Sequence, residues 1–408
     1  MKPTQKYGAL RGLRVLDLTQ MLAGPFCTQM LADHGAEVIK VEALAGDGIR
    51  TVGPFPEGDE LRAFGGYFQS VNRNKESLAL DLKSAQGKEV FLRLVRDADI
   101  VVENFRSGVM DRLGMGYEVL REINPALVYG AIRGFGDPRS GNSPYADWPA
   151  YDVIAQAMGG IMGITGPDEN SPTKIGPGVG DIAPALMLCV GILAAVHHAK
   201  QTGEGQFVDV AMTDAVLSLC ERIVYQKSYA KVTSRPEGNK HPLLSPFGLF
   251  RAKDGWISIA CAHEKFWVKL AEAIGRPEIA LSPTFATTQA RVANIDAVTE
   301  AIEGFTLSRT KVEIAKALGG KVPFGPVYTA DDVFNDSHFR VREMIVDIEQ
   351  PGVSHPVQVV GVPIKLSRTP GQVRSRAPLL GEHTRHTLAL AGYSREAIDQ
   401  MYREGVIR

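Results

Sequence analysis

Two periodicities alternate over the first two hundred residues of this chain, and no other feature constrains its fold as strongly. Short apolar runs of strand character, RVLDLT, AEVIKVE, DIVVENF and ALVYGAI, are separated by stretches of helical spacing such as FCTQMLADHG, closed by Gly35, and SAQGKEVFLRLVRDA. Strands spaced by helices of that length cannot pair as hairpins. They predict a parallel sheet with helices on its faces, a Rossmann-like α/β domain. The first crossover lacks a dinucleotide fingerprint, because QMLAGP holds a single glycine where three are needed to bring backbone close to a pyrophosphate.

The pattern changes after QTGEGQFVDVAMTDAVLSLCERIVYQ, which reads as a turn, a strand and a helix. SYAKVTSRPEGNKHPLLSP is a Pro-, Gly- and Lys-rich connection, and FGLFRAKDGWISIACA then has the form of an antiparallel hairpin about Lys253-Asp254-Gly255, followed by the helix HEKFWVKLAEAIG. The expected organisation is a large domain over 1–224, with 331–408 packing back on it, and a smaller α+β domain over 225–330. The tail reads as loops and helices that form no core of their own.

Lys+Arg 45 against Asp+Glu 46 leaves a net charge of −1, so the chain as a whole offers no field for nucleic acid or an anionic membrane. Cys27, Cys189, Cys220 and Cys261 are far apart in sequence and make no metal-ligand spacing with the histidines, which points to a reducing compartment and no metal site. Residues 1–18 hold no long apolar h-region, and the longest apolar run, Ala183–Val196, is short for a bilayer span. The expected location is the cytoplasm.

Against this background one acid stands out. In GPGVGDIAPALMLCVGILAAVHHAK, Asp181 lies between a glycine-rich turn and an apolar helix. Gly176, Gly178 and Gly180 permit sharp turns, and Pro184 fits only a first helical turn, so Asp181 belongs near the N-terminus of the helix. Two readings compete. Aspartate is a favoured N-cap, worth about 1 kcal/mol. Alternatively, the glycine N–H groups form an oxyanion site beside a carboxylate at the floor of a cleft, since a helix apolar all round should be deeply buried.

Asp152, in WPAYDVIAQAM, reads as a helix cap with a supporting catalytic role as the alternative, and Tyr151 as a packed aromatic. Lys83 ends LDLK just before a helix, Asn104 and Phe105 follow a strand signal and Arg112 lies one helical segment beyond it; ligands of parallel sheets bind at such loops, so Lys83 and Arg112 are candidates for phosphate groups, Asn104 for a polar ligand group and Phe105 for an apolar moiety. His197 and His198, adjacent on the helix, cannot both face one metal and read as partners of its C-terminal dipole.

Together RGLRVLDLTQMLAGPFCTQMLADHGAEVIKVE, NRNKESLALDLKSAQGKEVF, ADIVVENFRSGVMDRLG, PAYDVIAQAMGG, VGDIAPALMLCVGILAAVHHAKQTGEGQFVDVAM and APLLGEHT resemble the class III coenzyme A transferases, in order and over nearly the whole chain. The resemblance implies that Asp181 is a nucleophile forming mixed-anhydride and aspartyl-CoA intermediates. It implies CoA contacts at Leu22, Ala23, Lys83, Asn104, Phe105 and Arg112 and near Tyr151; Asp152, Tyr151, Gly178 and Gly180 are the candidate supporting residues read from their own setting. It further implies an acyl-CoA donor, a carboxylate acceptor of the small dicarboxylate kind, no tightly bound cofactor, and an interlocked, ring-like homodimer.

The formyl-CoA transferases of that family place an arginine after the I-K-x-E strand and a tetraglycine loop in the small domain. Here Ala43 follows VIKVE and no glycine run occurs around Lys240 and His241, which argues against formate and oxalate as the pair. Intramolecular transfer between two carboxylates of one acid would leave the same signature. The α-methylacyl-CoA racemases share the fold and use a histidine before the acid of the segment that here reads Tyr151-Asp152. Tyrosine, with an ordinary pKa near 10, is a poor proton shuttle at neutral pH. A binding module without turnover is a third possibility, disfavoured by the intact Asp181 and its glycines.

Overall fold

The computed structural model describes residues 8–408; the first seven of the eighteen residues on which the leader reading was made lie outside the described residues. The chain divides into two compact units, one comprising the chain up to Ile161, Lys174–Tyr225 and Ser337–Arg408, the other Met162–Thr173 and Gln226–Asp336.

The first unit is built on strands β1 (Arg14–Asp17), β2 (Glu37–Glu42), β3 (Glu76–Ala79), β4 (Ile100–Glu103), β5 (Val128–Arg133) and β6 (Phe207–Ala211). Every neighbouring pair is parallel, and the order is β3-β2-β1-β4-β5-β6. This is the doubly wound arrangement, in which the winding reverses between β1 and β4 and opens a crevice beyond their carboxyl ends. Edge strand β3 lies within NRNKESLALDLK, where no strand was expected, because four residues give little periodicity.

Helices of this unit are α1 (Ala23–Asp33), α2 (Gly66–Asn72), α3 (Ala85–Val95), α4 (Val109–Arg112), α5 (Tyr117–Ile123), α6 (Asp152–Met158), α7 (Val179–Thr202) and α8 (Met212–Leu219). Helix α9 (Glu221–Ala230) carries the chain into the second unit.

Helix α7 packs on α1, α6, α8, β5 and β6. At 24 residues it extends well beyond the apolar run seen in the sequence, and by length and composition it could cross a membrane. Its contacts with the sheet are those of a core helix. Only one side is buried, however: Leu186 (43 % exposed), Val190 (69 %) and Leu193 (37 %) leave an apolar stripe uncovered, which corrects the expectation of burial all round. His197 and His198 lie a full turn or more before the helix end at Thr202, and His197 bonds Gln201, so the last turn carries Lys200 instead.

The second unit holds the antiparallel sheet β7 (Phe247–Ala252), β8 (Gly255–Ala260) and β9 (Phe324–Pro326), with the β7–β8 turn at Lys253-Asp254. Around it stand α10 (Glu264–Ala273), α11 (Thr288–Ala293), α12 (Ile295–Thr306), α13 (Lys311–Leu318) and α14 (Ala330–Asn335), closing a core about Trp267, Leu270, Ile302 and Ile314. Met162–Thr173, read in sequence as part of the large domain, belongs here. The Gly238 N–H donates to Gly166 O at 2.9 Å, a pairing of residues seventy-two positions apart that no local pattern reveals.

The tail returns to the first unit as α15 (Ser337–Val341), an antiparallel pair of β10 (Ile345–Ile348) and β11 (Val357–Val360) that the sequence reading missed, α16 (Thr384–Leu390) and α17 (Arg395–Arg403). Leu388, Ile398 and Met401 complete the main core under β2 and β3.

Candidate functional site

The site assembles at the carboxyl ends of β1 and β4. Between β1 and α1 the chain turns through Thr19-Gln20-Met21-Leu22, and each step is held. The Thr19 N–H donates to Asp17 Oδ1 at 2.9 Å. The Asn104 side-chain amide exchanges two bonds with the Gln20 backbone, at 2.8 and 2.7 Å. Met21 adopts a left-handed φ of 66° that costs a non-glycine residue strain, and so must be imposed by its neighbours. The Asn104 side chain thus shapes the loop, and each of its amide atoms keeps one further hydrogen-bonding position for a ligand. Ala23 opens α1, and Leu22 stands against the turn that starts α7: a Cβ on Gly178 would lie 3.2 Å from Leu22 Cδ2.

That turn answers the question posed by Asp181. The N-cap of α7 is Gly178, and Asp181 is the third helical residue, with no side-chain cap. The cap is supplied from a neighbouring helix. Asp152, the first residue of α6 and not its N-cap as read from sequence, accepts from the Gly180 N–H at 2.8 Å and from Gln156 Nε2 at 3.0 and 2.9 Å. Gly180 must lack a side chain, since a Cβ there would meet the Asp152 carbonyl oxygen at 2.5 Å. Its N–H is therefore occupied, which removes it from the three expected oxyanion donors. Tyr151 is 66 % exposed and is not the packed aromatic the sequence suggested.

With capping done by Asp152, the Asp181 carboxylate has no hydrogen-bond donor among the described residues. Burial, and then the negative charge of Asp152, push it from its ordinary 3.8 up to about 7. Tyr67, on α2, was missed in sequence: burial raises its phenol, as do the carboxylates of Asp181, Asp47 and Asp152, which places it among those acids. Nothing in GGYFQSVN distinguishes that tyrosine from a core residue. A carboxylate that neither caps nor pairs, yet remains half-buried, is available as a nucleophile or a base.

Beneath the loop lies a set of buried charges. Asp17 and Lys75, both fully buried, pair at 2.9 Å; Lys40 Nζ donates to Thr19 O at 2.7 Å and pairs with Asp47 at 3.2 Å. Charged residues inside continuous apolar strands, as in RVLDL and VIKVE, were the available signal, and it was not read. Lys83 follows β3 and is exposed, Phe105 follows β4 and packs on the main core, and Arg112 ends α4, exposed and without an ion pair among the described residues. Cavities of about 560 Å³, lined by Phe135, Tyr145 and Asp209, and about 580 Å³, lined by Arg374, Arg376 and His383, do not include Asp181. Among the described residues no group of three or more His, Cys, Asp or Glu is placed to hold a metal ion.

A doubly wound sheet whose switch-point loop meets an uncompensated acid at a helix head defines an α/β enzyme with a crevice for an extended ligand. The family model for CoA-transferase family III matches residues 10–384. The chain is 49 % identical over 385 residues to a succinyl-CoA:mesaconate CoA-transferase from Haloarcula hispanica, covering 94 % of this chain and 97 % of that one. It is 38 % identical to a formyl-CoA:oxalate CoA-transferase from Streptomyces avermitilis, covering 92 % and 93 %. Among solved structures it is similar to a CAIB/BAIF family protein from Brucella suis, with a TM-score of 0.83 and 36 % identity over 94 % of this chain and all of that one. The chain belongs to CoA-transferase family III.

Proposed function

We propose that this enzyme moves CoA from an acyl-CoA thioester to a small dicarboxylic acid, with Asp181 as the covalent carrier. The carrying observation is the Asp181 carboxylate, free of donors and raised to about 7 at the head of α7, beside the loop that holds Leu22. One Asp181 oxygen attacks the thioester carbonyl and the C–S bond breaks, leaving a mixed anhydride and CoA thiolate. The thiolate attacks the Asp181 carbonyl, the donor carboxylate departs, and an aspartyl-CoA thioester remains. The acceptor carboxylate then attacks that thioester and the steps run in reverse, restoring Asp181. The Gly178 N–H, which has no hydrogen-bond acceptor among the described residues, is the candidate oxyanion donor.

Leu22 before α1 and Ala23 at its start, with Lys83 after β3, Asn104 and Phe105 after β4 and Arg112 at the end of α4, are read as the CoA-facing residues, and Asn104 also clamps the loop. Replacing Lys83 or Arg112 with alanine should raise the KM for the CoA donor about tenfold and leave kcat within twofold, because the contacts are equal in ground and transition states. A succinyl-type donor and an unsaturated dicarboxylate acceptor, as in the Haloarcula relative, are the first pair to assay. A racemase is disfavoured by Tyr151, whose side chain is largely solvated.

The reactive form of Asp181 is the carboxylate, so kcat/KM should rise with pH through about 7. Asp152→Asn keeps an oxygen for the Gly180 N–H but removes the neighbouring charge, and should move that limb down by roughly one unit. A pH–rate profile of the two proteins checks both points. Incubation with acyl-CoA followed by hydroxylamine or borohydride, with peptide mass analysis, tests the intermediate: no mark at Asp181 would refute it.

We propose a homodimer as well, on the strength of Leu186, Val190 and Leu193 along α7 and of exposed Val153, Ile154, Leu217 and Leu219 on the adjoining α6 and α8. A second copy covering that surface would remove apolar area from water. Val190→Glu should then give a monomer or soluble aggregate in light scattering. The four buried, unpaired cysteines accord with a cytoplasmic location.

A further inference from the structure

A line of alternating charges runs from the end of β4 to α4. Glu103, buried at the end of β4, accepts from Arg133 Nη2 at 2.6 Å through one oxygen and from the Phe105 N–H at 2.7 Å through the other. Arg133 Nη1 reaches Asp137 Oδ2 at 3.1 Å. Asp137, fully buried, accepts from Arg139 through its N–H at 2.9 Å and Nη1 at 3.1 and 3.3 Å. Arg139 Nη2 then donates to Asp111 Oδ1 at 2.9 Å, and its guanidinium lies 5.3 Å from the Phe207 ring centroid. Asp111 is the residue before Arg112 on α4. Its carboxylate fits only because Gly116 has no side chain; a Cβ there would stand 2.0 Å from Oδ1.

Helix α4 has four residues and is entered through Gly108 at φ 74°. One turn does not hold itself together in water, since helix nucleation costs more than a single turn returns. Some external contact must keep it in place, and Arg139 supplies one that leads back to a buried anion. Arg112, by contrast, is exposed and without an ion pair among the described residues, and ordering a long side chain and its loop at the moment of binding weakens affinity.

We infer that Arg139 is a positioning residue for CoA binding: by clamping Asp111 to Asp137 it holds α4 so that Arg112 faces the anionic part of CoA. The inference rests on the reading of Arg112 as a CoA contact. Arg139 touches no reacting atom, so its effect falls on binding and not on the chemical steps.

The test measures the Kd of CoA by calorimetry for the full-length wild type, Arg112→Ala, Arg139→Met and the double variant, with kcat for each. Met keeps an apolar side chain of similar length while removing the guanidinium fork. Asp111→Asn breaks the same clasp from the other side and serves if Arg139→Met folds poorly. Arg139→Met and Asp111→Asn should each weaken CoA about three- to tenfold with kcat unchanged, and the double variant should bind no worse than Arg112→Ala alone. Unchanged affinity in Arg139→Met and Asp111→Asn beside a weakened Arg112→Ala would overturn the positioning role, as would full additivity in the double variant. An unchanged Arg112→Ala would instead overturn the CoA reading on which it depends.

Discussion

Asp181→Asn should lower transfer by at least about 10⁴-fold and at the same time make the protein more stable at pH 8. The loss follows from chemistry, because an amide oxygen cannot form the anhydride and no neighbouring carboxylate can replace it: Asp152 is spent on the Gly180 N–H and Gln156. The gain follows from the raised pKa. Folding lifts Asp181 from 3.8 to about 7, so the folded state favours the protonated acid. The group's stabilising contribution is complete below pH 4 and is lost as pH rises through 7. Asparagine imitates the neutral form at every pH. At about 1.4 kcal/mol per unit, and reduced for partial solvent access, the variant should gain about 2–4 kcal/mol at pH 8 and almost nothing at pH 4. Urea midpoints at the two pH values test this, and equal midpoints at pH 8 would show that Asp181 is well solvated and the site misassigned.

Asp17→Ala is expected to be the most destabilising single change near the site, by about 3–5 kcal/mol. Asp17 accepts from the Thr19 N–H and hydroxyl, the Thr28 hydroxyl and Lys75 Nζ, with no exposure to water. Burial pushes its carboxyl up, but Lys75 and Lys40 outweigh that and hold it below the usual carboxylate range. Without it, Lys75 is a buried cation facing only Pro25 O and Asn72 Oδ1. Asp17→Leu with Lys75→Met should recover much of the stability, because it removes both charges together. The Thr19 bonds would remain broken, so KM for the CoA donor should stay raised. Recovery of both stability and KM would show that the buried pair has no part in shaping the loop.

Much of the large unit was legible because parallel strands buried on both faces must read as apolar runs and the helices between them must carry a 3.6-residue stripe. RVLDLT, AEVIKVE, DIVVENF and ALVYGAI appear as β1, β2, β4 and β5 for that reason. Strand β3 and the β10–β11 pair escaped notice, since four-residue strands gain their stability from partners distant in sequence. Asp181 was legible as a candidate from its setting among glycines, yet its neighbours were assigned the wrong tasks. Asp152 was read as a cap for its own helix and caps α7, and the bond that ties Asn104 to Gln20 was not foreseen. Each error concerns a side chain that bonds an element far along the chain.

Local order in the sequence was enough to read a parallel-sheet α/β domain followed by an α+β one, and to single out an acid at the head of an apolar helix. Periodicity and turn chemistry act between near neighbours and so are written along the chain. That the acid does not cap its own helix became visible only in three dimensions. Asp152, twenty-nine residues before it, took the Gly180 N–H and left Asp181 half-buried beside a like charge, with no donor to lower its pKa. Hydrogen bonding and desolvation depend on what lies within a few ångströms in space, and only the packing of α6 against α7 sets that distance.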